Sequence, residues 1–161
     1  MLLNRLKFVV GTTAGAILLT LAGCTATPEE STPYEVTNAS IRTPVAGRTT
    51  TAAYFEFTNN SSQLVKIIGV SSTAAERIEM HTVVKVDEQL RMRPLTSIEV
   101  AAGETVEFAS GGNHLMLFGV QLGGEPTIVQ IELDNGEVVE TPFQPTPVSY
   151  THLTLPTKSS V

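Results

Sequence analysis

The sequence predicts an all-β domain built as an antiparallel β-sandwich with Greek-key connections. Short segments in which apolar and polar residues alternate follow one another along most of the chain, as in strands with one buried face. Clusters of Asn, Gly, Ser and Asp separate these segments and favour tight turns. No long segment keeps the period of an amphipathic helix. Many short strands within about 110 residues are typical of a sandwich.

Ten segments carry this strand pattern. The predicted strands span 34–41, 51–58, 64–70, 77–84, 89–94, 97–100, 105–108, 114–120, 127–133 and 138–143. Turn-forming residues lie between them, at 59–62, 102–104, 110–113, 123–124 and 134–136. Asn135–Gly136 gives the strongest hairpin signal, because this pair tolerates positive φ at both positions of a two-residue turn.

The residues before the first strand are expected to lie outside this domain. Residues 1–23 contain a basic region with Arg5 and Lys7 followed by an apolar stretch, 8–21, which is typical of a secretory signal peptide. This stretch is shorter than the roughly 18 to 20 residues of a membrane-spanning helix. The quartet Leu21-Ala22-Gly23-Cys24 resembles the bacterial lipobox, which implies cleavage before Cys24, its diacylglyceryl modification and attachment to the outer face of a membrane. Residues 24–33 are polar and contain proline, which suits a tether.

The end of the chain differs in composition from the acidic domain before it. The run VSYTHLTLPT, at 148–157, resembles the translation of a transposase sequencing adapter. We therefore expect residues 148–161 to be either a sequencing artefact or a flexible polar tail. His152 lies in this segment and is excluded from the candidate ligands. The folded domain is expected to span 34–147.

Charge and cysteine content restrict the partners and the stabilisation of the domain. Residues 25–147 contain seven Lys or Arg and sixteen Asp or Glu, a formal charge of 7 − 16 = −9. A phosphate backbone requires a basic face, so this balance argues against nucleic acid as a partner. Because Cys24 is the only cysteine, no disulfide framework exists and the core alone must stabilise the domain.

The methionines and histidines are clustered. Apart from Met1 and His152, all of them fall in one window, as Met80, His81, Met92, His114 and Met116. Thioether sulfur and neutral imidazole nitrogen are soft or borderline donors, and together they suit Cu(I) better than Ca²⁺ or Mg²⁺, which prefer oxygen. The cluster therefore predicts a copper site.

A hairpin is predicted to bring His81 and Met92 together. If Val84 and Gln89 flank a four-residue turn, the numbers of cross-strand partners sum to 173, and His81 lies opposite Met92. Residues that are opposite each other in a hairpin share a face of the sheet, so this register gives one nitrogen and one sulfur donor side by side.

A second pair comes from a single strand. His114 and Met116 are two positions apart, so their side chains point to the same face of a strand. A sandwich rim that joins the two pairs would present two imidazoles and two thioethers to one ion. Met80 is the neighbour of His81, so we expect it to point the opposite way and to fill the core.

The spacing of the four predicted ligands resembles that of a known family. The pattern H-x10-M-x21-H-x-M, filled by His81, Met92, His114 and Met116, is similar to the signature of the periplasmic copper chaperones of the PCuAC family. The flanking residues Arg93-Pro94, Gly111-Gly112, Leu115 and Leu117 also resemble that family, and the similarity extends from about Val36 to Phe143. The resemblance implies a cupredoxin-like β-sandwich and one Cu(I) ion at a shallow site. It also implies copper delivery toward cytochrome c oxidase assembly, with thioredoxin-like assembly factors or the oxidase copper sites as partners.

Four classes of function follow from these observations. A non-enzymatic, extracytoplasmic copper carrier is favoured, because a site without thiolate resists disulfide formation and can release its ion. Sequestration of copper for tolerance, on the periplasmic or outer cell surface, is the alternative binding function. A structural β-sandwich lipoprotein is a further alternative. An enzyme is disfavoured, since no nucleophile with a matched base is recognisable in the sequence.

Overall fold

The computed structural model describes residues 32–147, which form ten β-strands. The strands, numbered in chain order, are β1 (Tyr34–Arg42), β2 (Thr50–Asn59), β3 (Val65–Ser71), β4 (Arg77–Val86), β5 (Gln89–Leu95), β6 (Ile98–Val100), β7 (Thr105–Phe108), β8 (His114–Phe118), β9 (Thr127–Leu133) and β10 (Val138–Thr146). Each of the ten predicted strands is present, with ends shifted by a few residues. The predicted signal peptide, the lipidation at Cys24 and the segment 148–161 lie outside the described residues.

The strands form two sheets that face each other. The first has the order β5-β4-β8-β2-β1, and β7 also pairs with β2; the second has the order β10-β9-β3-β6. Most neighbours in the sheets are not consecutive in sequence, which requires crossing connections of the Greek-key kind. The predicted all-β sandwich is therefore confirmed. One detail differs: β1 and β10 pair in parallel, and this pairing joins the sheets.

The core lies between the sheets and contains stacked phenylalanines. Phe55 of β2 stacks on Phe108 of β7 with ring centroids 4.1 Å apart, and it meets the edge of Phe143 from β10 at 5.6 Å. On β2, Ala53, Phe55 and Phe57 are buried in alternation with less buried residues. This alternation is the period-two pattern of a strand with one face in the core. The other face of the first sheet points away from the core.

The β4–β5 hairpin has a different register from the one predicted. Its turn contains two residues, Asp87 and Glu88, at φ 49° and 64°, and Val86 pairs with Gln89. The predicted four-residue turn is therefore wrong, and His81 lies opposite Pro94 while Met92 lies opposite Val83. The reason is that two acidic residues adopt the positive φ values of a turn that Asn and Gly usually occupy. The shift is two positions, an even number, so Met92 stays on the face of His81.

The predicted hairpin at Asn135–Gly136 is present, but its turn is longer by one residue. The Leu133 nitrogen donates to the Glu137 oxygen at 2.9 Å, and the Gly136 nitrogen donates to the Leu133 oxygen at 3.0 Å. Of the residues in this loop only Gly136 has positive φ, at 88°. The loop is thus a three-residue connection with glycine in the left-handed position. In residues 32–147 no helix is long and apolar enough to cross a membrane.

Candidate metal centre

The four predicted donors lie on the outer face of the first sheet. His81 on β4 is directly opposite His114 on β8, and Met116 lies two residues further along β8. Met92 on β5 is opposite Val83, which is two residues from His81 and so shares its face. The core side chains Met80 and Leu115 point the other way. Three adjacent strands therefore carry all four predicted donors on one surface.

The position of Met80 agrees with the strand alternation. Its side chain is only 5% exposed and belongs to the hydrophobic core. Met80 and His81 are consecutive, so the pleat sends them to opposite sides of the sheet. The structure therefore separates the one buried methionine from the two that share a face with the histidines.

A tight turn orients His114. Gly111 has φ 88°, and the Gly112 nitrogen donates to the Ala109 oxygen at 3.1 Å. The Gly112 carbonyl then lies 3.0 Å from Nδ1 of His114. A carbonyl can only accept, so Nδ1 carries the hydrogen and Nε2 keeps the lone pair. Among the described residues no group bonds Nε2, so this nitrogen is free to act as a ligand, although the side chain is 6% exposed.

A shallow groove brings three of the predicted donors together. Its volume is about 230 Å³, and its lining residues are Ala52, Tyr54, Val83, Met92, Ser110, Gly111, His114 and Met116. Ala52 pairs with Met116 across β2 and β8, and its small side chain leaves room above the sheet. Met92 is 58% exposed. A soft ion in this groove could meet two sulfurs and one nitrogen while staying accessible from solvent.

Tyr54 is a groove residue that the sequence analysis missed. It lies on β2, two positions from Ala52, and the Arg42 guanidinium lies 5.9 Å from its ring centroid. Tyr54 lines the groove because β2 pairs with β8, which is far from it in sequence. The strand alternation around Phe55 could indicate only that Tyr54 faces outward, and gave no sign that β8 lies beside it.

His81 lies beside His114, which lines the groove. The ring centroids of His81 and His114 are 5.9 Å apart, with the planes tilted by 57°. With a metal–nitrogen distance of about 2 Å, two imidazoles on one ion can have centroids up to about 6.4 Å apart. The observed separation lies below this upper limit. His81 is not among the groove-lining residues, so the groove itself brings together three of the four predicted donors.

The hydrogen bonding of His81 leaves one nitrogen without a partner. Its Nε2 lies 2.9 Å from Oε2 of Glu79. Its Nδ1 is buried, with no hydrogen-bond partner. A buried polar atom without a partner is uncommon, and an absent ion is one physical reason for it.

The four predicted donors combine thioether sulfur with imidazole nitrogen. The described part of the chain, 32–147, has no group of three or more His, Cys, Asp or Glu side chains placed to hold a metal ion. The mixture of sulfur and nitrogen donors fits a soft monovalent ion.

Solved structures share this fold. The structure named "Copper-bound PCuAC domain from PmoF2" superposes with a TM-score of 0.60 at 17% identity, covering 72% of this chain and 94% of that one. "Solution structure of apo-DR1885 from Deinococcus radiodurans" gives a TM-score of 0.55 at 20% identity, with coverage of 89% and 95%. Its Cu(I) form, "CuI-DR1885", gives 0.51 at 24% identity, with coverage of 78% and 83%. These similarities confirm the cupredoxin-like sandwich predicted from the resemblance.

Sequence relatives give the family. "Putative lipoprotein Lxx21020" of Leifsonia xyli subsp. xyli is 30% identical over an alignment of 142 residues that covers 81% of this chain and 84% of the relative. The family model described as "Putative lipoprotein LpqE-like" matches residues 34–144, from the first residue of β1 nearly to the end of β10. The chain therefore belongs to the LpqE-like family.

Proposed function

We propose that this protein is an extracytoplasmic metallochaperone that carries one Cu(I) ion, with His81, Met92, His114 and Met116 as ligands. The observation that carries the proposal is that two facing imidazoles and two thioethers share one outer face of the first sheet. Three of them line one groove, and the fourth abuts it. These are the only histidines and, apart from the core residue Met80, the only methionines between residues 25 and 147.

The chemistry of the donors supports Cu(I) over other ions. Thioethers bind soft Cu(I), imidazole suits copper, and neither carries charge when neutral. The same fold is found in "Copper-bound PCuAC domain from PmoF2" and in "CuI-DR1885", which by their names hold copper. Fold and donor set thus support the same cargo.

The shape of the site supports transfer more than storage. Met92 is on the edge strand β5 and more than half exposed, so an incoming ligand from an acceptor could replace its sulfur first. The ion would then pass by stepwise ligand exchange, with His114 still held by its bond to the Gly112 carbonyl. Since transfer makes and breaks only metal–ligand bonds, the protein needs no catalytic group and acts as a carrier.

The names of the relatives and the start of the sequence support a role outside the cytoplasm. The family and the Leifsonia relative are both named as lipoproteins, and the sequence has a lipobox-like quartet ending in Cys24. We propose that Cys24 carries the lipid, that residues 24–33 act as a tether, and that the lipid is the only membrane attachment. Thioethers would suit an oxidising compartment because they do not form disulfides.

We propose delivery toward cytochrome c oxidase assembly, through a thioredoxin-like assembly factor or directly to an oxidase copper site. Copper sequestration for tolerance is the alternative use of the same site. Transfer kinetics separate them: a carrier loses its Cu(I) to an apo acceptor much faster than by spontaneous dissociation, whereas a sequestering protein does not.

Competition titration with a chromophoric Cu(I) chelator under reducing conditions tests the binding itself. The proposal predicts one Cu(I) per chain. A protein that takes up no stoichiometric Cu(I) would rule out both the chaperone and the sequestration functions and leave a structural lipoprotein.

A further inference from the structure

We propose that Glu79, itself held by Arg77, is a positioning residue that fixes the tautomer of His81 and directs its Nδ1 to copper. The inference deepens the proposed function and rests on it, since it assigns a role to residues that are not among the four ligands. It also predicts that the two histidines bind copper through different nitrogens.

Glu79 and His81 form a hydrogen bond on the outer face of the sheet. The two residues are two apart on β4, so they share the outer face. Oε2 of Glu79 lies 2.9 Å from Nε2 of His81. An ionised carboxylate can only accept a hydrogen bond, so the hydrogen must be on Nε2. The lone pair of the neutral ring is therefore on Nδ1.

Among the described residues, the lone pair on Nδ1 of His81 has no hydrogen-bond donor to accept from. Nδ1 of His81 is buried and has no hydrogen-bond partner. The neighbouring ring on the same face is that of His114, at 5.9 Å between centroids. A buried acceptor without a partner is costly, and a copper ion shared with His114 would satisfy it. The buried nitrogen without a hydrogen-bond partner therefore belongs to one of the four predicted ligands.

Glu79 also forms an ion pair with Arg77. Its other oxygen, Oε1, lies 2.8 Å from a terminal nitrogen of Arg77. The Arg77 guanidinium in turn lies 4.3 Å from the ring centroid of Phe118, its cross-strand partner on β8. Each oxygen of Glu79 therefore has one partner, and the carboxylate is held between a stacked cation and the histidine. With both oxygens paired, the Glu79 carboxylate is oriented toward Nε2 of His81.

His114 and His81 are anchored through different ring nitrogens. The His114 ring is anchored through Nδ1 to the Gly112 carbonyl, which leaves Nε2 for the metal. His81 is anchored through Nε2, which leaves Nδ1. Histidine ligands usually donate their other ring N–H to a carboxylate or a carbonyl, and this outer bond raises ligand basicity and fixes the ring. Both kinds of partner are present here, one for each histidine.

The consequence is measurable in copper affinity. Loss of an outer partner of a histidine ligand typically lowers metal affinity about 10- to 100-fold. Glu79→Val removes the acceptor with a residue that suits a strand. Glu79→Gln keeps an amide oxygen that can still accept from Nε2–H, so it should lose less affinity than Glu79→Val. Glu99→Val is a matched control, because Glu99 is also a strand glutamate in a surface ion pair, 2.8 Å from Lys66, on the second sheet.

The experiment has two readouts. Long-range ¹H–¹⁵N NMR of the metal-free wild type reports which nitrogen of His81 is protonated, and Cu(I) chelator competition reports the affinity of wild type and variants. We expect His81 to carry its hydrogen on Nε2, about a tenfold or larger affinity loss for Glu79→Val, a smaller loss for Glu79→Gln, and wild-type affinity for Glu99→Val. The NMR readout needs no variant, so it decides the tautomer even if a substitution impairs folding.

Two results would overturn the inference while leaving the proposed function intact. One is a wild type that binds one Cu(I) but has His81 protonated on Nδ1. The other is a Glu79→Val protein with wild-type copper affinity. A wild type that binds no Cu(I) overturns the proposed function itself, and with it the role of Glu79.

Discussion

His81 and His114 are directly opposite each other on β4 and β8, with ring centroids 5.9 Å apart. They are 33 positions apart in sequence, and only the pairing of these two strands brings them together. The sheet thereby creates a pair of imidazoles on its outer face, beside the groove that contains Met92 and Met116. The following predictions test this arrangement and the fold that holds it.

Met116→Leu should weaken Cu(I) binding by at least tenfold with only a small change in stability. Leucine has nearly the volume of methionine but no sulfur donor, and volume-conserving swaps usually cost less than about 1.5 kcal/mol. Chelator competition and urea unfolding measure the two quantities. Met80→Leu is the matched control, since Met80 is in the core, and it should bind copper as the wild type does. Equal copper affinity for both variants would remove Met116 from the ligand set.

Cu(I) should bind His114 through Nε2 while Nδ1 stays protonated. Nδ1 lies 3.0 Å from the Gly112 carbonyl. Because a carbonyl can only accept a hydrogen bond, the hydrogen stays on Nδ1 and the lone pair is on Nε2. ¹⁵N NMR of the protein before and after Cu(I) addition should show the large shift at Nε2 of His114. A large shift at Nδ1, with loss of its proton, would contradict the geometry of the turn before β8.

Replacing Asp87–Glu88 with Asn–Gly should stabilise the protein by about 1 kcal/mol, because these residue types prefer the positive φ that the turn requires. The exposed Lys85–Glu88 ion pair is lost, but surface pairs contribute at most about 1 kcal/mol and commonly less. Denaturant unfolding measures the gain, and copper affinity serves as the control, since the turn does not contact the groove. A clear loss of stability would argue against a two-residue turn at this position.

Phe55→Ala should destabilise the protein by about 3 to 5 kcal/mol, since it removes a fully buried ring that contacts both Phe108 and Phe143. The control is Leu90→Ala on β5, where the side chain is 74% exposed, and its effect should stay within about 0.5 kcal/mol. Equal unfolding midpoints for the two variants would contradict the assignment of the core between the sheets.

Much of the fold follows from local pattern, but the site depends on pairings that local pattern does not specify. The alternation around Phe55 predicts a strand with one buried face, and the spacing of His114 and Met116 places them on the same face. The pairing of His81 with His114 joins distant strands, which sequence periodicity cannot specify. The resemblance to PCuAC proteins supplied that link.

Two errors of the sequence analysis have physical causes. The hairpin register was wrong because Asp87 and Glu88 adopt positive φ without the usual Asn or Gly. The contacts of Glu79 could not be predicted because a carboxylate two residues from a histidine on a strand is common on solvated surfaces. Only the distances to His81 and Arg77 distinguish it. The even-numbered register shift preserved the face of Met92, and so the predicted donor set stayed on one surface.

X-ray absorption at the copper edge of the Cu(I)-loaded protein tests the central claim most directly. The account predicts two nitrogen scatterers at about 2.0 Å and two sulfur scatterers at about 2.3 Å, distances ordinary for imidazole and sulfur ligands. The sequence contains one cysteine, Cys24, and Cys24→Ser makes any remaining sulfur signal thioether. A copper shell of nitrogen and oxygen alone would contradict a site built from His81, Met92, His114 and Met116.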